Sequence, residues 1–85
     1  MKVTVLYFAS VREKVGKDAE ELELPADVST ISDLRSHLRS RGGAWVDALA
    51  DTRLLRTAVN QDMVLPAATI KAGDEIAFFP PVTGG

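Results

Sequence analysis

The stretch Ile76-Ala77-Phe78-Phe79-Pro80-Pro81-Val82-Thr83-Gly84-Gly85 decides how the chain is organised. The apolar residues at its start predict a strand over residues 75–79 that carries large side chains on both faces. Because side chains alternate along a strand, Phe78 and Phe79 point to opposite sides, so we expect one in the core and the other at the surface. The two prolines that follow cannot donate to a sheet ladder, and the strand is expected to end there.

The last residues predict a narrow C-terminal tail whose terminal carboxylate is the reacting group. We expect residues 1–80 to form one folded domain and residues 81–85 a flexible tail, which reaches at most about 17 Å when extended. Gly84 and Gly85 have no side chain, so another protein's atoms can approach the terminal carbon closely. The carboxylate of Gly85 is ionised at neutral pH, since its reference pKa is about 3.3–3.7. It must be activated, for example as an acyl-adenylate made with ATP, before it can transfer anything.

Composition excludes several classes of function. The 85 residues suffice for one domain with one small core, and a net charge of −2 argues against nucleic-acid binding. The sequence has no cysteine, which excludes disulfides, cysteine-ligated zinc and a thiol nucleophile. With His37 as the one histidine, no metal site is expected. No apolar run approaches transmembrane length and no signal peptide is recognisable, so we expect a soluble cytoplasmic protein without a membrane partner.

Periodicity predicts the remaining elements. The predicted elements are strands over residues 2–9, 19–24, 54–60 and 63–65, a short helix over residues 10–15 with Ser10 as its N-cap, a main helix from Ser29 or Thr30 to Gly42-Gly43, and a helical turn over residues 44–50. This order predicts an α+β fold, a mixed sheet of about four to five strands with one main helix packed on one face. The first and last strands are expected to pair in parallel at the centre, as in the β-grasp arrangement.

Three questions about side-chain position arise from the same patterns. Phe8, near the end of the first strand, fits either the core or an exposed contact. Glu20, Glu21 and Glu23 are expected to form a solvated face of the second strand. His37 is expected to be a helix-surface or boundary residue, because the sequence has no Gly-x-Ser-x-Gly turn to supply a nucleophile for it.

Several segments carry a resemblance to a known family. They are Val5-Leu6-Tyr7-Phe8-Ala9 with Val11-Arg12-Glu13, then Ala58-Val59-Asn60-Gln61, and then Gly73 to the Phe-Phe-Pro-Pro-Val-Thr-Gly-Gly end. Together they resemble the small subunit of molybdopterin synthase, the MoaD family of ubiquitin-like sulfur carriers. The resemblance covers nearly the whole chain and is most specific at the end. Residues 40–53 match only loosely, which leaves the role of that region open.

The resemblance implies a ubiquitin-like β-grasp fold and a mechanism. In this family an activating enzyme adenylates the C-terminal glycine with ATP, and sulfur then displaces AMP to give a thiocarboxylate. The sulfur passes to cyclic pyranopterin monophosphate inside the large catalytic subunit, within a heterotetramer of two small and two large subunits. The chain would thus be a sulfur-donating subunit that has no catalytic side chains and binds no cofactor itself, with ATP consumed by the activating enzyme.

The resemblance also implies the site residues. Gly85 would carry the adenylate and the thiocarboxylate. Phe8, Met63 and Phe79 would form an apolar patch that contacts both partners. The tail entering the partners' active sites would be Pro80, Pro81, Val82, Thr83, Gly84 and Gly85. Three alternatives stay open: another ubiquitin-like sulfur carrier for thiamine or tRNA thiolation, a protein modifier conjugated through its terminal glycine, and an interaction domain with an inert tail.

Overall fold

The computed structural model describes residues 1–81 and contains eight helices and strands in this range. In chain order they are β1 (Lys2–Tyr7), α1 (Ala9–Val15), β2 (Ala19–Glu23), α2 (Ile31–Arg39), α3 (Ala44–Ala48), β3 (Arg56–Val59), β4 (Asp62–Val64) and β5 (Glu75–Phe79). All the predicted elements are present. Their ends differ from the predicted ones by a few residues, most at α2, where hydrogen-bonded turns and not the helix continue from Arg39 to Gly42. The predicted tail beyond Pro81 lies outside the described residues.

One mixed sheet organises the domain. Its strand order is β2-β1-β5-β3-β4, and β1 and β5 run parallel at its centre with Tyr7 opposite Phe78. The other pairs, β1 with β2, β3 with β5 and β3 with β4, are antiparallel. The first and last strands of the chain therefore lie side by side, each with a neighbour on both edges. This arrangement confirms the predicted α+β, β-grasp fold.

The core lies between one face of the sheet and the helices. On this inner face the sheet buries alternate residues of its central strands, including Val5, Tyr7 and Phe78. The helices contribute buried side chains to the same cluster, among them Val11 from α1, Ile31, Leu34 and Leu38 from α2, and Ala48 from α3. Because all three helices pack on the inner face, the opposite, outer face of the sheet is left without a covering element within residues 1–81.

The two longer helices begin differently. Thr30 caps α2: its hydroxyl accepts the backbone N–H of Asp33 at 3.1 Å, and the Asp33 carboxylate accepts the N–H of Thr30 at 3.1 Å. This capping box confirms the predicted start of the main helix. The predicted N-cap of the first helix is wrong, because the carbonyl of Phe8 already accepts the N–H groups of Val11 and Arg12. The helix therefore begins before Ser10, with extended Phe8 at the N-cap position and no side-chain cap.

The prediction of a solvated row of glutamates on β2 is wrong for Glu20. Pairing with β1 sets Glu20 opposite buried Val5, so its side chain turns to the inner face, while Glu21 and Glu23 are exposed. The Glu20 side chain is only 13% exposed and accepts hydrogen bonds from Tyr7 Oη at 2.7 Å and from both terminal nitrogens of Arg41 at 2.8 and 3.1 Å. The carboxylate thus ties β1 and β2 to the turn after α2.

Aromatic contacts extend this cluster to α3. The Arg41 guanidinium lies 4.5 Å from the centre of the Trp45 ring, and Trp45 meets the ring of Tyr7 edge-on at 5.3 Å. Burial and the hydrogen bond to Glu20 both raise the pKa of Tyr7. Residues 40–53, which the sequence left without a role, therefore help to close one end of the core. His37 is half-buried on α2, as predicted for a boundary residue.

Replacing Glu20 with Gln is expected to cost about 1–3 kcal/mol of unfolding free energy at neutral pH, because it removes a charged acceptor from the buried hydroxyl of Tyr7 and from the partly exposed guanidinium of Arg41. Burial alone would raise the pKa of Glu20, but hydrogen bonds from Arg41 and Tyr7 outweigh burial and lower it from 4.5. A lowered pKa contributes stability above its unfolded value and loses it as pH falls through the folded value. Urea unfolding should therefore show the difference between the two proteins shrinking below pH 4.5. Exposed Glu21→Gln is the matched control, and an equal cost in both variants would contradict the prediction.

Candidate docking face and tail

The outer face of the sheet carries an apolar row across four strands. The strand register aligns Leu6 with Ala77, Ala77 with Ala58, and Ala58 with Met63. By strand register and alternation, their side chains lie on the face opposite the helices, and Ala58, at 8% exposed, is buried between its neighbours on that face. The small alanines in the middle leave the row shallow, with the larger Leu6 and Met63 at either side.

The two aromatic residues of the predicted patch lie next to this row. Phe79, at the end of β5, is half-buried on the outer face, while its neighbour Phe78 is fully buried. Phe8 directly follows β1, and its N–H donates to the carbonyl of Phe78 at 3.2 Å, which sets it beside the end of β5. The exposed fractions of 45% for Phe8 and 55% for Met63 show that both are surface residues.

The structure therefore places the three predicted patch residues on one face and answers the question left open for Phe8. We call this surface the docking face and define it by the following residues: Leu6, Phe8, Ala58, Met63, Ala77 and Phe79. A contiguous apolar surface of this kind is a common feature of protein interaction sites. Whether partners bind it stays a prediction.

The predicted tail starts at the edge of the docking face. β5 ends at Phe79, as the two prolines predicted, and Pro80 and Pro81 are half-buried residues outside any strand. The chain beyond β5 therefore begins beside Phe79. The remaining predicted tail residues, and Gly85 as the reacting residue, lie outside the described part of the structure, so these assignments stay predictions.

Charge is unevenly distributed over the outer face. The end of the face away from the tail carries Lys2, Glu23 and Glu75, with Lys2 opposite Glu23 and Glu75 opposite Thr4. Near the tail the strands carry apolar residues, and Arg56 lies opposite Phe79. The described part of this surface thus has a charged end and an apolar end with Arg56 at its side.

Several residues of this surface were missed by sequence reasoning. Leu6, Ala58 and Ala77 were assigned to strands but not to a surface, and Arg56 was given no role. Leu65 was read as the end of a strand, yet it is 78% exposed just beyond Met63. Two alanines directly opposite each other on neighbouring strands indicate a flat sheet face, but this signal becomes readable only once the strand pairing is known.

Within residues 1–81 no helix is long and apolar enough to cross a membrane. In the same range, histidine and carboxylate side chains form no group of three or more that would hold a metal ion.

These features define a class: ubiquitin-like β-grasp proteins with an apolar outer face beside the last strand and a sequence that ends in Gly-Gly. The ThiS family model matches residues 5–85. The chain is 49% identical to the molybdopterin synthase sulfur carrier subunit of Escherichia coli (strain K12) and 47% identical to that of Haemophilus influenzae, in each case over 98% of this chain and 99% of the relative. The solution structure of the Haloferax volcanii HVO 2177 protein superposes with a TM-score of 0.77 at 26% identity, over 100% of this chain and 87% of that protein.

The chain therefore belongs to the ThiS family and, within it, to the group of molybdopterin synthase sulfur carrier subunits. The resemblance inferred from the sequence motifs is confirmed at the level of the family.

Proposed function

We propose that this chain is the sulfur carrier subunit of a molybdopterin synthase and that its sulfur travels as a thiocarboxylate on Gly85. The observation that carries the proposal is the docking face, which lies at the point where the Gly-Gly tail leaves the domain, in a chain of the carrier family. Such a body can be held by its apolar face while the tail reaches into a partner's active site.

The Gly85 carboxylate is a poor electrophile, so it must be activated before sulfur can be loaded onto it. A carboxylate oxygen of Gly85 attacks the α-phosphate of ATP, which forms the acyl-adenylate and releases pyrophosphate. A sulfur nucleophile then attacks the carbonyl carbon, and AMP leaves with the electrons of the broken C–O bond. With hydrosulfide as the nucleophile, loss of its proton leaves the thiocarboxylate directly. With a persulfide as the nucleophile, a thiol cleaves the resulting acyl disulfide and is itself oxidised to a disulfide. The sulfur passes to cyclic pyranopterin monophosphate in molybdenum cofactor biosynthesis, and water restores the carboxylate.

The chain's own chemistry is consistent with a passive carrier. It has no cysteine on which sulfur could be held, so the backbone terminus is the group available for it. Its one histidine, His37, is half-buried on α2, which packs on the inner face of the sheet and so lies on the other side from the docking face. Catalytic side chains are therefore assigned to the partner proteins.

The proposed partners are an adenylating enzyme and the large catalytic subunit of the synthase, the latter in a heterotetramer of two small and two large subunits. Apolar side chains such as Phe8 and Met63 are the kind that partner proteins bury at the centre of an interface. Because both partners must reach the same tail, they are expected to share the docking face and to bind in turn. We propose a cytoplasmic location, where the ATP consumed in loading is available.

The test is the intact mass of the purified chain after incubation with the activating enzyme, ATP and a sulfide source. We expect a mass change equal to the exchange of one oxygen for one sulfur, and loss of that change when ATP is omitted. Loaded protein should then convert cyclic pyranopterin monophosphate to molybdopterin with the large subunit.

Other results would point elsewhere. Loaded protein that serves a thiazole synthase and not the large subunit would identify a thiamine carrier. Isopeptide adducts on lysines would identify a protein modifier. An unchanged mass with every component active would refute the proposal.

A further inference from the structure

We propose that Arg56 is the charged anchor of the docking face and pairs with a carboxylate side chain of the large subunit of molybdopterin synthase. This inference rests on the proposed function, and it adds a residue and a chemical requirement on the partner. It assigns a role to a side chain that neither composition nor the conspicuous apolar patch indicated.

The strand register places Arg56 on the outer face. It lies opposite Phe79 across the β3–β5 pair, and the next residue along β3, Thr57, lies opposite buried Phe78 and is itself buried. Since side chains alternate along a strand, Arg56 projects to the side of Phe79 and Ala58. It is exposed, and it lies directly beside the start of the tail.

Within residues 1–81, Arg56 makes no ion pair and its guanidinium no hydrogen bond, in contrast with the other arginines. The other arginines are engaged as follows: Arg12 with Asp18, Arg35 with the carbonyls after α3, Arg39 with Asp51, Arg41 with Glu20 and Arg53 with Asp47. The carboxylate of Asp51 lines the same groove as Arg56, but it lies 2.7 Å from Arg39. The described part of this chain thus supplies no counter-ion for Arg56.

The lack of a counter-ion matters because Arg56 lies beside apolar residues that a partner would cover. A partner that covers Phe8, Phe79 and Met63 removes water from the guanidinium at their edge. Burying a charge without a partner is costly, whereas a desolvated guanidinium–carboxylate pair forms strong, two-pronged hydrogen bonds. A protein surface that fits the apolar residues must therefore also offer a carboxylate at this position. Arginine is also among the residues enriched at the energetic centres of interfaces.

There is space for such a side chain. Arg56 and Met63 border a groove of about 330 Å³ between α2 and the β3–β4 edge, which is also lined by Leu55 and Leu65. The groove joins the docking face through Met63. A partner that extends from the docking face past Met63 could therefore place a carboxylate in this groove beside Arg56.

The experiment measures the dissociation constant of the complex with the purified large subunit, for wild type, Arg56→Gln, Arg56→Lys and Arg56→Glu. We expect binding roughly 10- to 100-fold weaker for Arg56→Gln, weaker still for the charge reversal, and partly retained for Arg56→Lys, which keeps the charge but loses the planar fork. The salt dependence of the affinity should be smaller for Arg56→Gln than for wild type. Because Arg56 is exposed, the midpoint of thermal unfolding should not change in any variant.

Lys71→Glu is the matched control, since it makes the same charge change at an exposed cation near the other end of β5. It should bind as wild type does. Equal binding by Arg56→Gln and wild type would overturn the pairing, and so would an equal loss in Lys71→Glu and Arg56→Glu, which would show a general charge effect. Failure of the wild-type chain to bind the large subunit would instead refute the proposed function, and this inference with it.

Discussion

A single alanine added after Gly85 is expected to abolish sulfur transfer and to leave the free energy of unfolding unchanged. The extra residue moves the carboxyl carbon by roughly 3.6 Å along the tail, and misplacement of a reacting group by about 1 Å already costs on the order of 100-fold in rate. In the described residues the last strand ends at Phe79 and the core cluster ends at Phe78, so we expect the fold not to respond. Intact mass after loading and synthase activity measure the first effect, and urea unfolding measures the second.

The control for this prediction is the original chain, regenerated from an extended one by removal of the extension. A protease-cleavable extension after Gly85 should be inactive, and cleavage that regenerates the Gly85 carboxylate should return full activity. Recovery separates the effect of the end group from any effect on expression or folding. Full synthase activity by the extended, uncleaved chain would contradict the role of Gly85 and favour an interaction domain with an inert tail.

Replacing Phe79 with Glu is expected to weaken binding to the large subunit by about 30-fold or more, since truncation or charging of a central aromatic anchor costs roughly 2–4 kcal/mol. Phe79 is half-buried on the outer face and at the end of β5, so the substitution disturbs the docking face more than the core. Titration calorimetry gives the affinity, and size-exclusion chromatography of the mixture shows whether the complex survives dilution. The same variant should be loaded more slowly by the activating enzyme, because both partners are proposed to use this face.

Val46→Glu is the matched control for Phe79. It introduces the same charge at a side chain that is 51% exposed, on α3 and hence on the helical side of the sheet. We expect it to bind normally. If Phe79→Glu and Val46→Glu bind the large subunit equally well, the outer face is not where the large subunit docks.

Much of the fold was predictable because its signals are local. Alternating apolar residues mark β1 and β5, and Thr30 with Asp33 forms the capping box that begins α2. Glu20 and Ser10 show where local signals fail. Glu20 faces inward only because β1 pairs with β2 in one register, and Ser10 loses the N-cap position because the Phe8 carbonyl starts the helix earlier. Both outcomes depend on the chain around the residue and not on its type.

The candidate site was predictable in part for the same reason. The tail is contiguous in the sequence, and the family resemblance supplied Phe8, Met63 and Phe79. Arg56 was not predictable, because it lies far from Phe79 in the sequence and becomes its neighbour only through the β3–β5 register. A surface assembled from several strands has no linear motif, so its charge pattern appears only in the folded chain.

The parallel pairing of β1 with β5 has a mechanical consequence. In the proposed cycle, a partner that pulls on the tail would pull along β5, which is bonded to a strand on each side. A pull in this direction loads the ladder hydrogen bonds of both neighbours together and cannot open them one at a time from an edge. If the proposed function is correct, this pairing would keep the last strand in the sheet each time the tail moved from one partner to the other.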